Sequence, residues 1–330
     1  MIHRQLIAHD QMTLDDRYMH LLESTSFQPI FIMGPFRSGT TILHQILDAT
    51  GCFNVIRIYH LLYYNQLLAN YSNHTEKTAK QQLRDLFDHK NITDRGIDHV
   101  ASSPDLEEEY GFFFDGPLQK RRLNAANLPR FFEICKKIQV ISDPPRPLLL
   151  KNPWDSINFT YIKRVLPEAK FIFIHRHPLH VINSQLNAVR SLLATKNPYV
   201  DLLITDGQYG RLFERPMLLA AWRSLFSDRL GIGLRLLVRY EQRVTNYFLQ
   251  HIDVLPRSDA ISIRYEDLCA DAETTMKSIL NFLGLQPRKI VAYNGFIEPR
   301  ALRLLPEIAR KRDQIGSKLQ AYYAYNGYEI

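Results

Sequence analysis

Pro29-Ile-Phe-Ile-Met-Gly-Pro-Phe-Arg-Ser-Gly-Thr-Thr41 is the stretch of this 330-residue chain that decides the fold. Its apolar run from Ile30 to Met33 predicts a buried strand, and Gly34 to Gly39 predict a tight loop. The residues from Thr40 to Asp48 predict the start of a helix. The amides of such a loop and of a helix N-terminus point at one spot. The stretch therefore predicts a cradle for a phosphate or sulfate group, with a glycine-rich surface turn as the alternative.

The loop has the spacing of the nucleotide-binding motif G-x-x-x-x-G-K-[ST], except that Thr40 occupies the lysine position. The cationic side chain lies inside the loop instead, at Arg37. A kinase would also need an aspartate after a second strand to organise magnesium. The best second strand, Phe171–Ile174, leads into Arg176, which repels a divalent cation. We therefore expect an anion held by protein cations and hydroxyls, without a metal.

A second phosphate-binding pattern follows that strand. Arg176 follows it after His175, and Ser184 lies eight residues after Arg176 on the helix expected next. Taken alone, the pair has an ordinary interpretation as a salt-bridging strand end and a surface serine. In a doubly wound sheet, however, loops that leave the carboxyl ends of strands converge on one crevice. Two separate phosphate sites in one crevice suit a nucleoside 3′,5′-bisphosphate.

Composition favours a single globular α/β domain spanning residues 1–330, with 45% hydrophobic residues and no membrane-spanning or secretory segment. We therefore predict a cytoplasmic protein. Its three cysteines have no paired spacing, so neither a disulfide framework nor a zinc site is expected. The net charge of +7 is dispersed rather than clustered, which argues against nucleic acid and is compatible with a polyanionic small ligand.

Strands and helices alternate along the chain, which predicts a three-layer fold with a central parallel sheet flanked by helices. A helical insertion is expected at about 61–141, and further helices at about 190–255, interrupted at Gly231 and Gly233. A last amphipathic helix is expected at Asp271–Leu283. The predicted strands are apolar and rich in β-formers: Ile30–Met33, Phe53–Ile58, Leu148–Lys151, Phe171–His175 and Ala260–Tyr265.

These motifs resemble the sulfotransferase superfamily that uses 3′-phosphoadenosine-5′-phosphosulfate (PAPS), whose fold is P-loop-like. The family's 5′-phosphosulfate loop, approximately P-[KR]-S-G-T-T, is similar to residues 35–41, and its R-x-P motif with a following serine matches Arg176, Pro178 and Ser184. Its Y-E-D-L element, whose tyrosine lies near the adenine, is similar to residues 265–268. The resemblance, closest to bacterial small-molecule or carbohydrate enzymes, implies the following cofactor-binding residues: Arg37, Ser38, Gly39, Thr40, Thr41, Arg176, Ser184, Tyr265 and Arg300.

The chain departs from the cytosolic members of this family at the catalytic base. Their K-T-H pattern is Lys151-Asn152-Pro153 here, so the lysine is kept but the histidine is not. General-base help contributes typically about 10²–10⁴-fold, so another base is expected. His60 is the first candidate, with a structural histidine packed among tyrosines as the alternative. Glu108 and Glu109 come second, with a solvated acidic run as the alternative.

A second departure concerns the adenine. The family's stacking tryptophan after the two threonines is Ile42 here, so the resemblance leaves Trp154 or Tyr265 for that role.

The resemblance implies in-line transfer of a sulfuryl group from PAPS to a hydroxyl, with 3′,5′-adenosine bisphosphate as the product. Arg37, the loop amides and Lys151 are expected to stabilise the leaving phosphate. The acceptor class stays open between a small molecule, a lipid and a carbohydrate, and the sequence gives no oligomeric state. A P-loop kinase and a nucleotide-binding protein without catalysis are the alternatives.

Overall fold

The computed structural model describes residues 13–96, 100–114, 121–204, 207–297 and 303–329. Its centre is a five-stranded parallel sheet with the strand order β2-β3-β1-β4-β5. The strands are β1 (Pro29–Met33), β2 (Asn54–Val55), β3 (Leu148–Lys151), β4 (Lys170–His175) and β5 (Ala260–Arg264). Since all five strands are parallel, their carboxyl ends share one edge of the sheet. The expected α/β fold with a parallel central sheet is confirmed.

Helices cover both faces of the sheet and build the regions beyond it. The α-helices of the described residues are α1 (Thr40–Ala49), α2 (Ile58–Leu62), α3 (Leu67–Ser72), α4 (Glu76–His89), α5 (Leu128–Ile141), α6 (Phe159–Val165), α7 (Pro178–Ala194), α8 (Pro198–Leu203), α9 (Gln208–Phe213), α10 (Pro216–Leu225), α11 (Ile232–His251), α12 (Tyr265–Ala270), α13 (Ala272–Leu283), α14 (Pro306–Ala309), α15 (Arg312–Lys318) and α16 (Gln320–Asn326). Short 3-10 helices lie at Leu14–Leu22, Tyr64–Gln66, Tyr110–Phe113, Pro153–Ile157, Ile252–Val254 and Tyr293–Phe296.

β1 is the middle strand, and all five of its residues are buried. Successive side chains of a strand point to opposite faces, so a run of apolar residues suits a strand covered on both sides. Phe31 packs into the core of one face, where its ring lies 5.7 Å from that of Phe171. Ile30 and Ile32 pack into the core of the other face, against α1 and α13. This double burial fixes the position of the loop that follows Met33.

Two expectations about element bounds need correction. The strand expected at Phe53–Ile58 is only Asn54–Val55, because the chain turns into α2 at Ile58. Gly233 does not interrupt a helix, since α11 begins at Ile232 and runs through it. A side chain at this position would meet the Phe226 ring, so a close approach between helices explains this glycine better than a break. Within the described ranges, no helix is long and apolar enough to cross a membrane.

Candidate active site

The loop between β1 and α1 has the geometry of an anion cradle. Gly39 precedes the first residue of α1 with a φ of 104°, a conformation that other residues rarely adopt. A Cβ on Gly39 would lie 2.4 Å from Cδ2 of Tyr265, so the glycine also allows the ring to pack against the loop. Arg37 has a positive φ of 72°, which is uncommon for a residue with a side chain and marks a backbone held by its surroundings.

The loop and the start of α7 are joined by direct hydrogen bonds. Arg37 Nε donates to Ser184 Oγ at 3.0 Å, and Arg176 Nη1 donates to the Arg37 carbonyl oxygen at 3.1 Å. The Arg176 guanidinium also lies 4.3 Å from the centre of the Tyr265 ring, a cation–π contact. The carboxyl ends of β1, β4 and β5 therefore bring Arg37, Arg176, Ser184 and Tyr265 into one cluster, as the sequence predicts.

Two buried polar atoms in this cluster fit an anionic ligand. Ser38 Oγ and Arg176 Nε are both buried, and neither has a hydrogen-bond partner among the described residues. A buried donor without a partner is costly, and such groups are enriched where a protein binds a ligand. A hydroxyl and a guanidinium nitrogen are both suitable donors to phosphate or sulfate oxygens. The residues present thus suit the two phosphate positions of a bisphosphate nucleotide.

Lys151 connects this anion loop to a carboxylate. It is the last residue of β3 and is buried, and its Nζ lies 3.1 Å from Thr41 Oγ1 and 3.3 Å from Glu109 Oε1. Burial raises the pKa of Glu109, with the neighbouring Glu108 acting in the same direction and the Lys151 ammonium opposing both. Lysine, threonine hydroxyl and carboxylate therefore form a chain that begins at the N-terminus of α1.

The three consecutive glutamates are placed very differently. Glu108 Oε1 accepts a hydrogen bond from Arg95 Nη2 at 3.1 Å, and Glu108 Oε2 accepts one from the Tyr199 hydroxyl. These two bonds occupy both oxygens of a fully buried carboxylate, as in a structural ion pair. Glu107 is buried beside Arg57, with which it forms an antiparallel bridge, and burial raises the pKa of its carboxyl group. Only Glu109 of the three pairs with Lys151.

His60 lies in α2 and is buried. Its Nδ1 accepts a hydrogen bond from the backbone N–H of Arg57 at 3.1 Å, which caps the start of the helix. Desolvation, together with Arg57 and Lys80, lowers the pKa of His60 to about 3. Because Nδ1 is occupied and the ring is buried against Tyr59, the surroundings of His60 favour the structural alternative over a proton-accepting role.

Two aromatic side chains pack against Phe36 of the loop. The Phe36 ring lies 5.9 Å from the Trp154 ring and 5.8 Å from the Tyr240 ring. Trp154 therefore lies on the Phe36 side of the loop, whereas Tyr265 lies against Gly39. Of the two aromatic residues considered for adenine, Tyr265 is the one that also contacts Arg176. Another expected nucleotide-binding residue, Arg300, lies outside the described residues.

No sequence motif indicated Gln185 and Glu241, a pair that contacts the loop through the Phe36 carbonyl oxygen. Gln185 Nε2 donates to the Phe36 carbonyl oxygen at 3.0 Å and contacts Glu241 Oε2 at 3.4 Å. Burial raises the pKa of Glu241 to about 8, with the hydrogen bond from Gln185 opposing it. The position of Gln185, next to Ser184 in α7, was the only signal available.

Two further residues behind the site also carried no motif. Asn152 Nδ2 donates to Asp155 Oδ2 at 2.7 Å and to the Arg121 carbonyl oxygen at 2.8 Å, which fixes the chain after Lys151. His44 is fully buried one turn into α1, and desolvation together with Lys151 holds its pKa well below the usual range. In the part of the chain that the structure describes, no group of three or more histidine, cysteine, aspartate or glutamate side chains is placed to hold a metal.

Comparison with known proteins gives a consistent result. Residues 29–288 match the model of the Sulfotransferase family. The chain is 28% identical over 178 residues to proteins named omega-hydroxy-beta-dihydromenaquinone-9 sulfotransferase Stf3, from Mycobacterium bovis and from Mycobacterium tuberculosis. That match covers 50% of this chain and 46% of each relative, so less than half of each relative's length is represented.

Solved structures resemble the whole fold at low sequence identity. Sulfotransferase STF9 from Mycobacterium avium has a TM-score of 0.62 at 14% identity, covering 96% of this chain and 81% of its own. Sulfotransferase STF1 from Mycobacterium tuberculosis H37Rv has a TM-score of 0.53, also at 14% identity, covering 97% and 81%. At such identity the similarity concerns the fold alone.

Proposed function

The chain belongs to the sulfotransferase family, and from this premise and the geometry of its site we propose that it transfers a sulfuryl group from PAPS to a hydroxyl of a small-molecule acceptor. The observation that carries the proposal is the cluster in which Arg37 bonds Ser184 while Arg176 bonds the Arg37 carbonyl. It joins two anion-binding elements at one sheet edge, as a nucleotide with phosphates at the 5′ and 3′ positions requires. PAPS supplies the activated sulfuryl group.

Each residue of the cluster has a proposed part in holding the co-substrate. The amides from Ser38 to Thr41 and the side chain of Arg37 would bind the 5′-phosphosulfate end, where a helix N-terminus favours negative charge. Arg176 and Ser184 would bind the 3′-phosphate and so discriminate against ATP. Tyr265, which packs on Gly39 and beneath Arg176, would contact the adenine.

We propose Glu109, rather than His60, as the general base. Glu109 Oε1 lies 3.3 Å from Lys151 Nζ, so this carboxylate directly contacts the cation that is proposed to stabilise the leaving group. It would take the proton of the acceptor hydroxyl as that oxygen bonds to sulfur. The bond from sulfur to the 5′-phosphate oxygen breaks, and the electron pair leaves with the phosphate. Lys151 would then face the new phosphate charge, where a fixed cation stabilises the transition state most.

The acceptor is proposed to present its hydroxyl on an apolar or aromatic body. The Phe36, Trp154 and Tyr240 rings beside the loop offer such a body a matching surface. The named relatives act, according to their names, on a dihydromenaquinone derivative. Location in the cytosol also stays a proposal.

Calorimetry with 3′,5′-adenosine bisphosphate tests the co-substrate, in the absence of magnesium and against ATP with magnesium. We expect bisphosphate to bind the natural chain and to bind Arg176→Ala at least about tenfold more weakly, since a charge-assisted bond is lost. Arg288→Ala is the matched control because this exposed arginine follows α13 and its backbone bonds Thr50, at the far end of α1. Tighter binding of magnesium-ATP, or equal losses in both variants, would contradict the assignment.

A further inference from the structure

Helix α10 carries three large apolar residues on its exposed face. Met217, Leu218 and Trp222 are exposed by 88%, 43% and 42%, and they lie within an arc of the helix that also contains Ala221. The opposite face packs inward through Leu219. A surface helix of a globular protein normally shows the reverse arrangement, with polar residues outward. The outward apolar face of α10 is therefore unusual and indicates a surface that contacts something apolar.

The apolar surface continues from α10 onto the start of α11. The Trp222 ring stacks on Phe226 with centroids 6.2 Å apart, and Phe226 packs closely against Gly233. Next to this contact, Ile232 is exposed by 38% and Leu236 by 43%, one helical turn apart. We call the exposed members of this surface the α10–α11 patch: Met217, Leu218, Trp222, Leu230, Ile232 and Leu236.

Exposed arginines surround the patch. Along the sequence they lie before, between and after its apolar residues, and residues 211–243 contain only two exposed acidic residues, Glu214 and Asp228. The exposed arginines are Arg211, Arg215, Arg223, Arg229, Arg235, Arg239 and Arg243. An apolar centre containing tryptophan, with a basic rim, is the pattern of a segment that lies in the interface of an anionic membrane.

We propose that the α10–α11 patch docks the protein onto the surface of an anionic phospholipid bilayer. The apolar side chains would enter the boundary between headgroups and acyl chains, and the arginines would contact lipid phosphates. A second copy of the chain fits the patch less well. In a twofold interface the same surface meets itself, so the basic rims would face each other and repel. The charge of the rim therefore selects an anionic surface.

The patch lies beside the candidate active site. Tyr240 follows Leu236 by one turn of α11, about 6 Å along the helix axis, and its ring lies 5.8 Å from Phe36 of the anion loop. Docking would thus place the loop next to the bilayer. The docking does not depend on the reaction, but together with the proposed function it indicates an amphiphilic acceptor that reaches the site from the membrane.

Sedimentation with lipid vesicles tests the docking on the full chain. We expect binding to vesicles of phosphatidylcholine and phosphatidylglycerol in equal amounts, weaker binding to pure phosphatidylcholine, and a loss on raising the salt concentration. Leu218→Ser and Trp222→Ser should each bind about tenfold more weakly, because each variant loses the apolar surface that the natural side chain would transfer from water into the bilayer. Ile290→Ser is the matched control, since Ile290 is fully exposed just after the segment that bonds Thr50, away from the patch.

Tryptophan fluorescence distinguishes insertion from electrostatic adsorption. The chain has two tryptophans, so Trp154→Phe leaves Trp222 as the only reporter. We expect vesicles that contain brominated phospholipid to quench Trp222. Anionic binding without quenching would overturn the insertion, and so would equal binding of the Ser variants and the control. A dimer that forms through the patch, without vesicle binding, would assign the surface to a second copy instead. Calorimetry with bisphosphate on each variant separates these results from any failure of the nucleotide site.

Discussion

Replacing Glu109 with glutamine tests the proposed base directly. Glutamine keeps the size of the side chain and an oxygen that can face Lys151, which lies 3.3 Å from the carboxylate and also contacts Thr41. The glutamine side chain cannot accept the proton of the acceptor hydroxyl. General-base catalysis contributes about 10²–10⁴-fold, so kcat should fall by that factor, which corresponds to about 3–5 kcal/mol of transition-state free energy. Because the two side chains are similar in size, the affinity for bisphosphate should change little.

The pH dependence of kcat/KM adds a second readout. The base must be ionised to accept a proton, so activity should fall as the pH drops through the pKa of Glu109. Burial raises that pKa, so the fall should begin at a higher pH than for an exposed glutamate. This fall in kcat/KM at low pH, the acid limb of the profile, should be absent in Glu109→Gln.

Two variants control this experiment. Glu108→Gln removes a buried charge that pairs with Arg95, so it should lower the free energy of unfolding by up to about 3–5 kcal/mol while the folded protein keeps the acid limb. His60→Asn keeps a hydrogen-bond acceptor near the Arg57 amide and should retain both activity and the limb. The choice of Glu109 would be refuted if kcat fell by less than about tenfold in Glu109→Gln, or if the large fall in kcat occurred in His60→Asn instead.

Three further predictions concern the loop and its support. Lys151→Met should lower kcat by about tenfold or more with a smaller effect on KM, measured by steady-state kinetics, because its proposed partner charge develops only in the transition state. Gly39→Ala should abolish bisphosphate binding in calorimetry, since a Cβ would collide with the Tyr265 ring. Gly327→Ala should keep it, because Gly327 also has a positive φ, of 65°, but open space around it. Glu241→Gln should change the pH dependence of chemical unfolding. In the folded protein the pKa of Glu241 is about 8, above its usual value. The free energy of unfolding of the wild-type protein should therefore fall as the pH rises from the usual value towards 8, by at most about 1.4 kcal/mol per pH unit. The variant should not show this fall.

Much of the fold could be predicted because it depends on local patterns. The strands at 29–33, 148–151 and 170–175 are short apolar runs bounded by loop residues, and the structure places them within one residue of the expected bounds. The strand predicted at Phe53–Ile58 is longer than the observed strand Asn54–Val55. Ile56 and Ile58 are as apolar as Phe53 and Val55, yet the Ile56 carbonyl oxygen accepts a hydrogen bond from the backbone N–H of Glu108 and the chain turns into α2. That choice depends on a distant segment, which periodicity does not reveal.

The candidate site divides in the same way. The loop, Arg176 and Ser184 carry fixed spacings, and the structure brings them together. Of the three neighbouring glutamates, Glu109 contacts Lys151, whereas Glu108 is held by Arg95 and Tyr199. The bridge between Arg57 and Glu107 also fixes the path of this segment. Such partners lie far away in sequence, so no local pattern separates an inert buried carboxylate from one beside the loop.

The contact between Gly39 and Tyr265 links the first strand to the last. Gly39 follows the central strand near the start of the chain, and Tyr265 begins α12, directly after the edge strand β5. The cradle therefore closes only after more than 200 intervening residues have been placed, and a chain cut before β5 would keep the loop sequence without a finished site. Nucleotide binding should consequently report complete folding, and a bound bisphosphate should protect the whole sheet from unfolding and proteolysis.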